Sequence, residues 1–357
     1  MTLDQHLSSP GPLGAPSASP YFGNEFSGNE FSGNEFSGNQ LTPHGRLEVP
    51  VAVLVPTHRR KAHLEKALRS IANQRHVFPC EVIVIDDASG DGTSELAGAW
   101  GATVIEKKMN EGPGAARDDG ARAAASAEWL AMLDDDDEWL PGHLATLWEN
   151  RHGHVMVAGS SVDIGQGPPR AHGAATARAE TVRSPGRLVF PENSFTTSAT
   201  MLRRDVLLSA GGFDRNVRHA EDLDAWLRVL EKGTGLILPE VTCFYRVHGA
   251  QTSRDRGAMT GSCVMLFEKY SDRPWMTSRL REQAMAVNAW DDFQAARADG
   301  DKRAMLRAVA WLGRHPYSAM DVPRLWAYRR NLRRRGWAEA QRLGLIGSDS
   351  ASANTTT

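Results

Sequence analysis

PVAVLVPTHRRKAHLEKALRSIANQRHVFPCEVIVIDDASGDGT, running from Pro50 to Thr93, decides the fold. It opens with PVAVLVP, Pro50 to Pro56, a short apolar run bounded by prolines that suits a strand buried on both faces better than a helix. Lys61 to Ala72 then places Leu64, Leu68 and Ile71 on one helical face, and Glu81 to Ile85 reads as a second buried strand. Downstream the alternation continues with a short helix (Thr93 to Trp100), a strand (Ala102 to Glu106), an Ala-rich helix (Gly114 to Ser126) and a fourth strand (Trp129 to Leu133). Such alternation predicts an α/β chain with a doubly wound, mostly parallel sheet, whose ligands sit beyond the carboxyl ends of the strands. Polar residues stand at those ends: Thr57-His58, Asp86-Asp87 and Asp134 to Asp137.

After Asn150 the pattern becomes irregular, with a Gly/Pro/Ala-rich loop (Gly165 to Gly186), strand-like stretches at Thr197 to Arg203 and Val241 to Val247, and a helix from Glu221 to Lys232. From Ala258 to about Leu345 the reading is helical, and a polar tail follows. Met1 to Gly45 contains no Lys or Arg and is dominated by Gly, Pro, Ser and Asn, too little apolar area to offset the entropy of ordering. Within it GNEFS repeats from Gly23 to Ser37, either a weak sticker array built on Phe26, Phe31 and Phe36 or a repeat without consequence. The expected organisation is thus a disordered segment (1–46), an α/β domain (47–255), a helical region (256–346) and a disordered tail (347–357).

With 41% hydrophobic and 24% charged residues, the 357-residue chain is neither wholly disordered nor collagen-like. A formal charge of −2 argues against a nucleic-acid partner. Three cysteines without CxxC spacing indicate neither a disulfide framework nor a cysteine zinc site, which favours a reducing compartment. No apolar run approaches the roughly 18–20 residues that cross a bilayer, and the N-terminus lacks a basic signal-peptide start. The expected location is cytoplasmic.

The most informative chemistry lies in WLAMLDDDDEWLPGHL, Trp129 to Leu144. Four successive carboxylates at the mouth of a buried strand repel one another unless a cation neutralises them, and hard oxygen ligands favour Mg²⁺ or Mn²⁺. Mg²⁺ typically takes one or two carboxylates plus substrate phosphates, so a metal-bound diphosphate is the natural ligand. Asp86 and Asp87 end another strand, where a carboxylate accepts a base N–H or binds a ribose hydroxyl. Gly112 and Gly114 open a helix whose free N–H groups attract anions, with Arg117 one turn inside. Glu221 and Asp222 start an amphipathic helix. In YRVHGAQTS, Tyr245 to Ser253, His248 is placed either to ligate a metal or to contact phosphate.

In order along the chain, PTHRR from Pro56, IDDASGDGT, NEGPGAAR, LDDDDEWLP, GGFD (Gly211 to Asp214), AEDLDAWLR and YRVHGAQTS closely resemble the family 2 glycosyltransferases, over about Val49 to Ser253. The resemblance implies the GT-A fold and inverting, metal-dependent transfer of a sugar from a nucleoside diphosphate sugar, a UDP-sugar foremost, to an acceptor hydroxyl. It places Asp87 on the base with Thr57 and Arg117 nearby, Asp136 as main metal ligand supported by Asp134, Asp222 as general base, and Gly212 to Asp214 on the acceptor side. The expected donor-binding set is therefore Pro56, Thr57, Asp86, Asp87, Gly112, Arg117, Asp134 and Asp135, and the expected metal set is Asp136, Asp134 and His248.

Asp118 stands where the family commonly has Asn. The QxxRW motif and membrane helices of processive synthases are missing, with only Arg333-Arg334-Arg335-Gly336-Trp337 loosely similar, so single addition is expected. Two rivals share the acidic chemistry or the fold. A sugar-phosphate nucleotidyltransferase needs an early Gly-rich loop, and PTHRR has no glycine; a non-catalytic nucleotide-sugar-binding protein has no need of acids at every position. The acceptor is open among glycan, lipid-linked and small molecules. Residues 301–342 hold Lys302 and ten arginines against Asp301, Asp321 and Glu339, an excess of eight positive charges. Leu325, Tyr328, Leu332 and Trp337 recur there near helical spacing. Either this stripe packs on the catalytic domain or the helix lies on an anionic bilayer as a peripheral contact.

Overall fold

The computed structural model describes residues 50–75, 78–174, 176–249, 256–315 and 321–346. The GNEFS repeats, the polar tail and the 250–253 end of YRVHGAQTS lie outside them. β1 (Val51–Thr57) is buried along its whole length and pairs in parallel with β2 (Glu81–Asp86) on one side and β4 (Trp129–Met132) on the other. β3 (Thr103–Glu106) extends this parallel half beyond β2. Alternation along β1 explains its unbroken apolar run. Val51, Val53 and Val55 enter one core with Leu64, Leu68 and Ile71 of α1 (Lys61–Arg75). Ala52 and Leu54 enter the other core with Ala116 and Ala121 of α3 (Pro113–Ala123). Each fully buried Leu or Ile on these faces contributes about 1.5–3 kcal/mol. Between β2 and β3 lies α2 (Thr93–Ala99).

Beyond β4 the sheet becomes mixed, in the order β3-β2-β1-β4-β9-β6-β10-β5. Here β5 is Glu138–Trp139, β6 Met156–Gly165, β9 Thr200–Arg203 and β10 Gly235–Val247. β9 runs antiparallel to both neighbours, while β6 and β10 are parallel to each other. Three local readings change. The loop expected from Gly165 to Gly186 carries β7 (Ala171–His172) and β8 (Glu180–Val182), too short to show a period. Thr197–Ala199 is a 3₁₀ turn rather than strand. β10 begins at Gly235, because the register shift after Ile237 lets Pro239 sit in a strand without breaking its ladder. The acidic run leads into β5, with α4 (His143–Glu149) starting after it.

The helices α5 (Gly186–Val189), α6 (Arg204–Ser209) and α7 (Glu221–Leu230) precede a helical C-terminal region of α8 (Arg256–Lys269), α9 (Ser278–Asp299), α10 (Lys302–Arg314) and α11 (Val322–Arg342). Leu266 and Phe267 of α8, with Tyr270 just after it, share the core of α3 and α7. In α11, Leu325 and Leu332 are buried and Tyr328 hydrogen-bonds Ser194, so for this stripe packing prevails over a bilayer. Among the described residues no helix is long and apolar enough to cross a membrane, and the three cysteines are free.

Candidate active site

A cavity of about 570 Å³ opens at the carboxyl ends of β1, β2 and β4. Pro56, Thr57, Asp87, Gly112, Arg117, Asp134, Asp135, Asp136 and Asp222 all line it. Five stretches distant in sequence thus converge, because the parallel strands end together and the starts of α3 and α7 face them.

The two acids after β2 divide the work. Asp87 lines the cavity, with Oδ2 accepting from Gly112 N at 2.7 Å and Oδ1 from Glu111 N at 3.0 Å. Its carboxylate therefore fixes the turn into α3, where Gly112 takes φ +89°, a region closed to other residues. Asp86, expected to bind donor, is not brought to the cavity. It is buried and accepts from Ser89 N at 2.9 Å and Ser94 Oγ at 2.7 Å, shaping the turn into α2. Gly114 likewise has a packing reason, since a Cβ there would stand 2.9 Å from Glu221 Cγ.

Each carboxyl of the acidic run has its own partners. Asp134 is paired with Arg117, whose other terminal nitrogen donates to Glu221 at 2.7 Å. Arg117 thus ties α3 to the start of α7. Burial pulls its pKa down, but Asp134 and Glu221 outweigh this and raise it. Burial pushes Asp134 above the ordinary carboxylate range. Asp135 accepts from Thr57 Oγ1 at 2.7 Å and Arg60 Nη1 at 3.3 Å, yet burial still lifts it to about 6. Asp136 Oδ2 meets Arg60 Nη1 and His248 Nε2, each at 2.8 Å. Asp137 turns away to accept from Arg246 N at 2.7 Å, and burial raises its pKa strongly.

Across the cavity, Asp222 Oδ2 accepts from Thr197 Oγ1 at 2.9 Å. His172, 2.6 Å from Asp163 Oδ1, and Tyr245 line the wall beyond. Gly212 to Asp214, expected on the acceptor side, lie off the cavity. Phe213 N donates to Asp118 Oδ1 at 3.2 Å, and a Cβ on Gly212 would stand 2.0 Å from that oxygen. Asp118, the departure from the family pattern, thus anchors this turn to α3. Arg60 and Thr197 were not singled out in the sequence. Arg60 sits in a polar loop, and Thr197 falls inside a strand-like stretch.

Among the described residues no three His, Cys, Asp or Glu side chains form a ready-made metal cluster. Asp136 with His248 beside it, and Asp134 nearby, fit a cation that completes its shell with water and a diphosphate. The raised pKa of Asp135 gives a measurable consequence. Its folded value of about 6 lies above the ordinary 3.8, so the native state loses stability as pH rises from about 4 to 6. Without divalent cation, Asp135→Asn should therefore stabilise the protein by about 3 kcal/mol at pH 8 and by nothing below pH 4. Denaturant melts at both pH values check this; an equal gain at both would contradict it.

The family model for glycosyl transferase family 2 matches residues 52–209, which include β1, Asp87, Arg117 and the acidic run. The GalNAc(5)-diNAcBac-PP-undecaprenol beta-1,3-glucosyltransferase of Campylobacter jejuni is 35% identical over 31% of this chain and 37% of its own length. The chain spans about a third of the curated relatives it matches at that identity. Among solved structures, S. aureus TarS 1-349 in complex with UDP-GlcNAc is 18% identical with a TM-score of 0.56, covering 82% of this chain and 92% of that one. The mannosyltransferase PcManGT from Pyrobaculum calidifontis, in complex with GDP-Man and Mn²⁺, is 20% identical with a TM-score of 0.51, over 81% and 87%. These likenesses establish the GT-A fold, and over residues 52–209 the chain is similar to glycosyl transferase family 2.

Proposed function

We propose that the cavity binds a nucleoside diphosphate sugar, a UDP-sugar foremost, and that the protein transfers the sugar to an acceptor hydroxyl with inversion, one addition at a time. The observation that carries this reading is the placement of Asp222, oriented by Thr197, in the same cavity as Asp134 to Asp136 and the start of α3. The nucleoside lies toward Pro56, Thr57 and Asp87, and the diphosphate toward the acidic run and the N-terminus of α3. Asp136 and His248, supported by Asp134, hold Mn²⁺ or Mg²⁺, which supplies positive charge for the departing diphosphate when bound. Arg60, already on Asp136, lies within reach of the same phosphates. Asp222 takes the proton of the acceptor hydroxyl as it attacks the face opposite the leaving group. No second carboxylate is needed at C1, because inversion forms no covalent glycosyl intermediate.

A panel of UDP- and GDP-sugars with Mn²⁺, read as nucleoside diphosphate release, tests this reading. Slow release from one donor is expected, accelerated by acceptor. Release from none, with pyrophosphate formed instead from a nucleoside triphosphate and a sugar phosphate, would move the protein to the nucleotidyltransferases. Binding without any release would make it a nucleotide-sugar-binding protein.

Peripheral membrane contact shifts from α11 to α10. Leu306 and Val309 are 69% and 51% exposed there, on the same side as exposed Lys302, Arg303 and Arg307. Apolar side chains flanked by cations suit an anionic interface, each cation adding about 1 kcal/mol. A lipid-linked acceptor, like that named for the Campylobacter relative, is consistent with such a surface. The protein should pellet with anionic but not zwitterionic vesicles at low salt, and Leu306→Glu should abolish pelleting. Failure of the wild type to pellet points to soluble acceptors.

A further inference from the structure

We infer that α11 braces the acceptor side of the active site, with Tyr328 and Arg329 as positioning residues that hold 190–197 and, through Thr197, the carboxylate of Asp222. Asn193, Phe195, Thr196 and Thr197 line the cavity, yet 190–197 belongs to no strand before its closing 3₁₀ turn, so its position depends on what lies behind it. Behind it lies α11. The Tyr328 hydroxyl is 2.8 Å from Ser194 Oγ and donates to Gly173 O at 3.3 Å, with Arg187 set 5.7 Å from its ring centroid. Arg329 Nε donates to Glu192 Oε2 at 2.9 Å, and Arg170 Nη2 to Glu192 Oε1 at 2.6 Å. Arg329 Nη2 reaches Asp291 of α9 at 3.0 Å, which fixes the guanidinium from the other side.

Two turns further along, Gly336 lets the helix backbone lie against β7. A Cβ there would stand 2.5 Å from Arg170 Cα and Ala171 N. α11 therefore grips both segments of the acceptor wall, β7 with His172 and the stretch that ends at Thr197. These ion pairs are partly shielded, and truncating Arg329 takes its guanidinium from Asp291 and leaves Glu192 with Arg170, so the brace acts as a linked set rather than as scattered surface pairs.

The role assigned to Asp222 rests on the transfer reading above; the brace itself does not. Tyr328→Phe removes one hydroxyl and Arg329→Met one charge, with the hydrocarbon packing of each kept. In the full chain, each variant should lower kcat for the UDP-sugar that the wild type uses by about tenfold or more. UDP affinity with Mn²⁺ should stay within about twofold. Hydrogen exchange of the amides in 193–199 should quicken by about tenfold, without a matching rise in β1 and β2. Unchanged kcat and unchanged exchange in a folded variant would overturn the inference, as would an exchange increase spread equally over the domain. If the wild type turns over no nucleotide sugar, the transfer reading fails by itself, and the exchange measurement still decides the brace.

Discussion

Asp136→Ala is expected to abolish sugar transfer and to remove the divalent-cation dependence of UDP binding. In the folded protein one carboxylate oxygen of Asp136 is shared by Arg60 and His248 at 2.8 Å each, so this side chain ties both groups to the acidic run. Its removal leaves Arg60 and His248 without that acceptor and, on the proposed assignment, would deprive a bound cation of its main protein ligand. A diphosphate then enters a cavity still lined by Asp134 and Asp135 with less counter-charge to hold it. The expected loss in kcat is on the order of 10³-fold or more. Calorimetric titration with UDP and Mn²⁺ checks the binding half, and unchanged affinity in the variant would remove the metal assignment from Asp136.

Asp222→Asn should cost roughly 10²–10⁴-fold in kcat while donor affinity barely changes. The amide keeps the size of the side chain and can still accept from the Thr197 hydroxyl, so the geometry survives while the base is lost. Wild-type turnover in this variant would move the base elsewhere, and the structure narrows where. Asp224 is fully buried and bound by Arg228, Lys269 and Tyr270. Glu221 lines the cavity but is paired with Arg117, so it alone would remain as a candidate.

The parallel half of the sheet was legible because β1 and β2 are buried on both faces and so carry unbroken apolar runs. Asp134 to Asp136 were legible for a related reason, since unpaired acids directly after such a strand need a partner. Other features depend on partners that a linear pattern does not specify. Asp86 and Asp87 are adjacent and chemically identical, and only the fold turns one toward α2 and the other toward the 111–112 turn. Gly114 read as part of an anion-attracting helix start and Gly212 as part of the acceptor side, yet each answers to a side chain far away in sequence, Glu221 and Asp118. Arg60 was hidden in a loop, where a basic residue signals nothing until Asp135 and Asp136 are seen beside it. The apolar stripe of α11 was visible, but its periodicity is the same whether it covers a protein wall or a bilayer.

The most direct measurement of the nucleotide-sugar assignment is the melting temperature of the full chain with a panel of nucleotide sugars, each with Mn²⁺ and with chelator. A ligand that binds only the folded state at about 100 times its Kd adds roughly 2.7 kcal/mol, which raises the melting temperature by about 5 °C in a domain of this size. One donor should give that rise with Mn²⁺ and lose most of it in chelator. No rise with any nucleotide sugar in the presence of Mn²⁺ would contradict the assignment.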